Sequence, residues 1–420
     1  MEGPEGPAEA PSPGPHGDTR PGPAEAGQGR PRLDRWQGGR IVVDRRDAPL
    51  GLYLHIPFCD AICNYCNFNR GLFDAGLKRR YLDALNLEIA TCGDTGRVDS
   101  VFFGGGTPSV LEPSEVAGLI TRCRSSFDVD PAAEITLEMN PETASRERLD
   151  GYRAAGVTRL SLGVQSFRDE ELRRLGRLHT AARAIEAFGL ARAAGFDDIS
   201  IDLMVWLPEQ TVTHWIESVE TLVDLGPDHA SLYLLELYPN APLKEEMARG
   251  GWSQAPDDIA AEMYHIGLDR LDAAGYRQYE ISNVARSGRR SRHNLKYWSD
   301  GAWVGFGCGA HSTRDGRRWH NVSEIGRYID RLSDGSSPVA RCRTLSADER
   351  LTDTLFLGLR LSEGVDLTAL ERRYAVDVWA RWGRELAPFV GDGVLLHDRN
   401  RLRLTRDGML LANEVMRVFV

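Results

Sequence analysis

The chain has 420 residues, 42% of them hydrophobic, which is enough to bury a large core and to build more than one domain. A formal charge of -10 argues against a broad nucleic-acid surface, and no apolar run is long enough to span a bilayer, leaving only peripheral membrane contact open. Seven cysteines, an odd number with four of them scattered, exclude a secreted disulfide framework and point to a reducing, cytoplasmic setting.

Residues 1–48 are rich in proline, glycine, alanine and charge without periodic apolar positions, so this segment reads as a disordered tail. Its acidic residues, such as Glu2, Glu5 and Glu9, do not suit a mitochondrial transit peptide. From residue 51 onward, short β-branched runs alternate with amphipathic stretches. Strands are predicted over 51–55, 98–103, 134–139, 158–164, 198–204 and 229–237, and helices over 77–92, 112–124, 181–194, 212–225 and 257–274. Six such units are too few for a closed eight-fold barrel and predict an α/β fold, a partial, open (β/α)6 barrel over residues 49–285. A connecting region follows over 286–342. The last part, 343–420, shows helical spacing at 351–361 and 367–374, a hairpin across Arg399-Asn400 and a final helix from Asp407. That pattern suggests a small α+β, winged-helix-like domain used for packing or protein contact.

Cys59, Cys63 and Cys66 follow the first strand with the spacing C-x3-C-x2-C. Three thiolates hold three corners of a [4Fe–4S] cube and leave one iron open for a ligand, whereas electron carriers use four. The competing reading is a structural zinc site completed by His55 or a distant residue, although zinc knuckles usually present paired cysteines from two segments. The other conspicuous motifs also fall at strand ends: Gly104-Gly105-Gly106-Thr107-Pro108 after the second, Glu138-Met139-Asn140-Pro141 at the third, Gln165 at the fourth and Asp202 in the fifth. In barrel enzymes the active site is built on that face, so these motifs should share one mouth. Each has a plainer explanation. The glycines suit a tight turn, the carboxylates suit solvated strand ends, and Arg177, in the helix expected after Gln165, suits an exposed helix surface.

The runs Tyr53-Leu54-His55-Ile56-Pro57-Phe58-Cys59 through Tyr65-Cys66, FFGGGTPS, LEMNPET, LSLGVQSF, RHNLKYW and GCGAHS resemble the radical S-adenosylmethionine (SAM) proteins of the coproporphyrinogen oxidase group. The resemblance implies a [4Fe–4S] cluster on Cys59, Cys63 and Cys66, with SAM chelating the open iron and yielding a 5′-deoxyadenosyl radical on reduction. It implies SAM contacts for Tyr53, Gly105, Gly106, Thr107, Glu138, Gln165, Arg177 and Asp202, and an aromatic beside the adenine at Tyr65. In the oxygen-independent coproporphyrinogen III oxidases a fourth cysteine stands where this chain has Phe68, so oxidase activity is not expected. Phenylalanine there, with the HNxxYW motif at His293-Asn294-Leu295-Lys296-Tyr297-Trp298, resembles the HemW-type heme chaperones. This implies heme binding, with His293 as candidate ligand and His311 and Cys308 as secondary ones. It also implies heme-receiving partners such as respiratory enzymes, and an electron donor. Cys308, where the resemblance expects proline, and Trp206, where it expects glycine, are departures.

Overall fold

The structure, a computed structural model, describes residues 49–93, 96–239 and 241–420, all within one compact unit. The tail expected over residues 1–48 lies outside the described residues. Six parallel strands form the centre: β1 (Leu50–Ile56), β2 (Arg97–Gly105), β3 (Asp128–Met139), β4 (Arg159–Gln165), β5 (Ile199–Val205) and β6 (His229–Leu234). Between them run α1 (Ala75–Thr91), α2 (Pro113–Ser126), α3 (Arg146–Ala155), α4 (Ala181–Ala193) and α5 (Val212–Leu225), and α6 (Asp257–Ala273) packs against α5. Helix ends follow local chemistry: Asp74 caps α1 by accepting from the Leu77 N–H, and Gly226, at φ 65°, ends α5 where a side chain would be strained.

The sheet does not close. After β7 (Arg277–Gln278), β8 (Asn283–Ala285) and the seven-residue helix α7 (Arg292–Trp298), the chain returns to the opposite edge as β9 (Trp303–Phe306), parallel to β1. The antiparallel strands β10 (His311–Arg314), β11 (Arg317–Asn321) and β12 (Val339–Thr344) then extend it. The resulting twelve-stranded order is β12-β11-β10-β9-β1-β2-β3-β4-β5-β6-β8-β7.

Strand alternation divides the barrel into an apolar outside and a polar inside. Ile135, Leu137 and Met139 of β3, Leu160 and Leu162 of β4, and Ile199, Ile201 and Leu203 of β5 belong to the buried core shared with the helices. The intervening Thr136, Glu138, Arg159, Ser161 and Asp202 stand on the other face. An open barrel keeps a polar lumen because that face surrounds a ligand-sized space instead of packing against itself. A second core, including Leu351, Leu355, Leu386, Leu395 and Leu402, belongs to the C-terminal part. There the helices Ala347–Gly358, Leu367–Tyr374 and Val378–Gly391 accompany a three-stranded sheet of β13 (Val365–Asp366), β14 (Leu395–Asp398) and β15 (Arg401–Leu404), in the order β13-β15-β14.

The helix α7 plugs the lumen. Glu134, on β3, accepts from the backbone N–H of Arg292 at 2.9 Å and of His293 at 3.1 Å, and so caps the first turn. Glu134→Ala would leave those donors buried and would remove a countercharge near Arg159. An expected loss of about 3 kcal/mol in urea unfolding follows; a loss below about 1 kcal/mol would show that the cap is dispensable.

Candidate functional site

The cysteine loop leaves β1 and is closed at its base by a two-residue parallel ladder, Phe58 against Gly71 and Cys59 against Leu72. Asn64 ties one side of the loop by donating to the Arg174 carbonyl at 2.7 Å and the Glu246 carboxylate at 2.6 Å. Asn69 ties the other by donating to the carbonyls of Cys308, at 3.1 Å, and Ser323, at 2.9 Å. The glycine turn after β2 lies directly beneath: the Gly106 N–H donates to the Ile56 carbonyl and the Thr107 N–H to the Phe58 carbonyl, both at 2.8 Å. A Cβ on Gly106 would stand 2.9 Å from the Cys59 sulfur, so this glycine serves close approach to the thiol.

A hydrogen-bonded arc joins two of the three thiols. Thr107 Oγ1 donates to Cys59 Sγ at 3.4 Å and accepts from Asn140 Nδ2 at 3.3 Å. Asn140 Oδ1 accepts from Arg177 Nη2 at 2.8 Å, and Arg177 Nη1 donates to Cys63 Sγ at 3.5 Å. Arg177 is further held by the Gly163 carbonyl at 2.7 Å, and Gln165, in a left-handed conformation at φ 70°, packs over Gly163. Arg177 does not ride on a helix as expected. The helix Asp169–Arg174 ends before it, and Gly176 at φ 68° turns the chain so that the guanidinium points back at the loop.

All seven cysteines are free thiols, and burial pushes those of Cys59 and Cys66 up. A bound cation reverses that preference, and donors aimed at the sulfurs favour the thiolate. The donor set therefore fits an iron–sulfur cluster. His55 does not complete a zinc site: its Nε2 donates to the Asn69 carbonyl at 2.8 Å, and its Nδ1 is bonded to the Tyr53 hydroxyl at 3.1 Å. Among the described residues, no three His, Cys, Asp or Glu side chains converge on one point where a single metal ion would sit.

Beside the loop, the lumen opens into a cavity of about 300 Å³ lined by Tyr53, Glu138, Arg159, Asp202, Tyr233 and Tyr297, among others. Glu138 accepts from the Gly105 N–H at 3.2 Å, which connects cavity and glycine turn. Burial, reinforced by nearby Asp202, pushes Glu138 up to about 8; burial also raises Asp202, against the pull of hydroxyl donors such as Ser161. Two carboxylates with one buried arginine form a site that takes a cationic or hydroxyl-rich ligand. A larger cleft, about 630 Å³, lies between α6 and the C-terminal hairpin, where Arg406 is engaged by Asp269 and Asp272.

Tyr65 packs against an apolar cluster that includes Met204, Leu207 and Leu243, and it stands beside Cys63 and Arg177 at the cysteine loop. Two other sequence expectations land differently. His293 is fully buried, and both ring nitrogens are engaged, Nδ1 with Ser100 at 3.1 Å and Nε2 with Tyr297 at 2.9 Å; burial, with Lys296 nearby, lowers it to about 3. This geometry presents His293 as a structural residue of α7 and not as an open iron ligand. Cys308 is likewise buried, beneath Tyr81. Conversely, Arg159 joins the site from outside every motif, and Asn140 and Tyr297, which lie inside quoted motifs, take part in the site although the motifs give them no cluster or SAM contact. The run LEMNPET was the available signal for Asn140; Arg159, at the start of β4, had none.

The radical SAM superfamily pattern matches residues 53–250, and the HemN C-terminal domain pattern matches 345–411. Heme chaperone HemW of Bacillus subtilis is 36% identical over 88% of this chain and 98% of its own, and that of Mycobacterium tuberculosis is 37% identical over 89% and 95%. This chain belongs to the HemW branch of the radical SAM family. A mouse relative, the mitochondrial radical S-adenosyl methionine domain-containing protein 1, is 34% identical over 94% of this chain and 92% of its own. The solved structure of the radical SAM enzyme coproporphyrinogen III oxidase (HemN) from Escherichia coli matches with a TM-score of 0.80 at 25% identity, covering 89% of this chain and 90% of that one. The α/β architecture, open barrel and C-terminal domain are thus those of the family. No helix among the described residues is long and apolar enough to cross a membrane.

Proposed function

We propose that this HemW-type protein carries heme, holds a [4Fe–4S] cluster on Cys59, Cys63 and Cys66, binds SAM at the adjoining cavity, and delivers heme to recipient proteins such as respiratory enzymes. Electrons come from a separate donor, and the free cysteines suit the reducing cytosol. The single observation that carries the cofactor reading is the arc from Cys59 through Thr107, Asn140 and Arg177 to Cys63, packed on a glycine turn whose Gly105 N–H donates to Glu138 of a cavity holding two carboxylates. The cargo reading rests on the HemW relatives, together with Phe68 where the oxidases keep a cysteine.

When bound, the cluster and SAM supply one-electron chemistry at a sulfonium. Thr107 and Arg177 orient the sulfurs and offset their charge. Glu138 and Asp202 would accept from the amino and hydroxyl groups of SAM, and Gly105 and Gly106 would let backbone approach it. Tyr53, fixed by His55, and Tyr297 of α7 wall the cavity and exclude water.

The alternative is an oxygen-independent coproporphyrinogen III oxidase, which the likeness to HemN favours. The two readings separate on one anaerobic assay with cluster, SAM and reductant present. The expected outcome is heme binding, seen as a Soret band, and no formation of protoporphyrinogen IX from coproporphyrinogen III. Decarboxylation would reverse the choice.

A further inference from the structure

The strands β9–β12 have a solvent-facing side whose purpose the barrel site does not explain. His311 on β10 and His320 on β11 are a directly opposed cross-strand pair, their rings 5.0 Å apart and inclined by 24°. His320 Nδ1 donates to the Asn321 carbonyl at 3.1 Å. A carbonyl only accepts, so this bond fixes the tautomer and leaves the Nε2 lone pair directed away from the backbone, the state in which histidine binds a metal. The contrast with the interior is sharp. His55, His179, His229 and His293 each spend both ring nitrogens on protein partners.

The same face is basic. Arg341 on β12 pairs with His320, and in the adjacent row Arg318 pairs with Arg343. Arg318 is held by Asp353 and Arg343 by Glu349, whereas Arg341 is exposed and has no ion-pair partner among the described residues. Register continues inward from this row: β9 Gly305 pairs with Tyr53 of the cavity wall, and a Cβ on Gly305 would stand 2.4 Å from the His311 carbonyl. The row from Arg341 through His320 and His311 to Tyr53 therefore runs along one face of the sheet to the barrel mouth. Strands about 4.8 Å apart place Arg341 and His311 about 10 Å from each other, the scale of a porphyrin.

We propose that this face is the heme-docking site, with His320 Nε2 as iron ligand, His311 bracing its ring and Arg341 pairing with a propionate. Side chains stand roughly perpendicular to a sheet, so iron on His320 lays the macrocycle parallel to the strands, where a guanidinium at its edge meets carboxylate in bidentate fashion. His311 and Arg341 are exposed and His320 is half-buried between them on a sheet surface, which suits a cargo that must be passed on. The proposal rests on the heme-carrier reading above.

The test uses full-length, cluster-loaded protein titrated anaerobically with hemin, read by Soret absorbance and by low-temperature electron paramagnetic resonance for the axial ligand. His320→Ala is expected to weaken heme at least about tenfold and to remove the histidine-ligation signature, which added imidazole restores. Arg341→Glu is expected to weaken heme several-fold and keep the signature, and neither substitution should alter iron and sulfide content. Unchanged affinity and signature in the His320 variant, or affinity unchanged within about twofold in the Arg341 variant, overturns the site while the carrier reading stands. Failure of the unaltered protein to bind hemin overturns both.

Discussion

Anaerobic reconstitution is expected to load about four irons and four sulfides per chain, and replacing Cys59, Cys63 or Cys66 by alanine is expected to abolish that load. The three cysteines share one short loop, where Cys59 and Cys63 are joined through Thr107, Asn140 and Arg177, whereas Cys123 is buried in α2, burial raising it to about 12, and Cys342 lies apart and exposed on β12, accepting from Arg317 at 3.4 Å. Alanine at Cys123 or Cys342 should leave iron and sulfide unchanged. Asn140→Ala grades the argument, because it cuts the arc without touching a thiol: cluster should still form but be lost faster to a chelator. Stoichiometric zinc instead of iron in protein purified without oxygen would overturn the assignment, and so would full iron content in any of the three cysteine variants.

The six barrel strands were legible because their outward positions are an unbroken supply of leucine, isoleucine and valine, as in β5, ISIDLMV. What they enclose was not. Arg159 and Glu134 look like surface charges in sequence, since only the closing curve of the sheet turns their face into a lumen. The strands β9–β12 give no such signal in the sequence, where 286–342 shows only a connecting region. β11 is Arg-Arg-Trp-His-Asn, one face covered by arginine and histidine, so no hydrophobic alternation announces a strand. The helix Val378–Gly391 was missed for a related reason, because Gly383 and Pro388 interrupt its pattern. Motifs placed the three cysteines and the glycine turn in one mouth, but they name residue types and not free atoms. The HNxxYW run marks α7 in the sequence, yet which nitrogens of His293 are spent is decided by Ser100 and Tyr297, about two hundred residues away in one case and one helical turn in the other.

Glu138→Gln is expected to stabilise the protein at alkaline pH and to weaken SAM, a combination that a merely structural carboxylate would not give. Burial and the neighbouring Asp202 raise the folded-state pKa to about 8, far above the ordinary 4.5. The native state thus holds this proton more tightly than the unfolded chain, so unfolding free energy falls as pH rises from about 4.5 to about 8 and is flat beyond. Below that window the acid and the amide are alike, and above it the variant should gain on the order of 3 kcal/mol in urea unfolding because no buried charge remains. Gln keeps an acceptor for the Gly105 N–H, which isolates the charge from the hydrogen bond. The same charge is what the N–H and O–H donors of SAM would meet, so the variant should bind SAM about tenfold more weakly at pH 8.5 and with little penalty at pH 6. Parallel stability profiles of variant and unaltered protein between pH 5 and 9 would place Glu138 in solvent contact and remove the strained carboxylate from the site. Stabilisation without loss of SAM affinity would keep the strain and move the ligand elsewhere in the lumen, with Asp202 the next carboxylate to substitute.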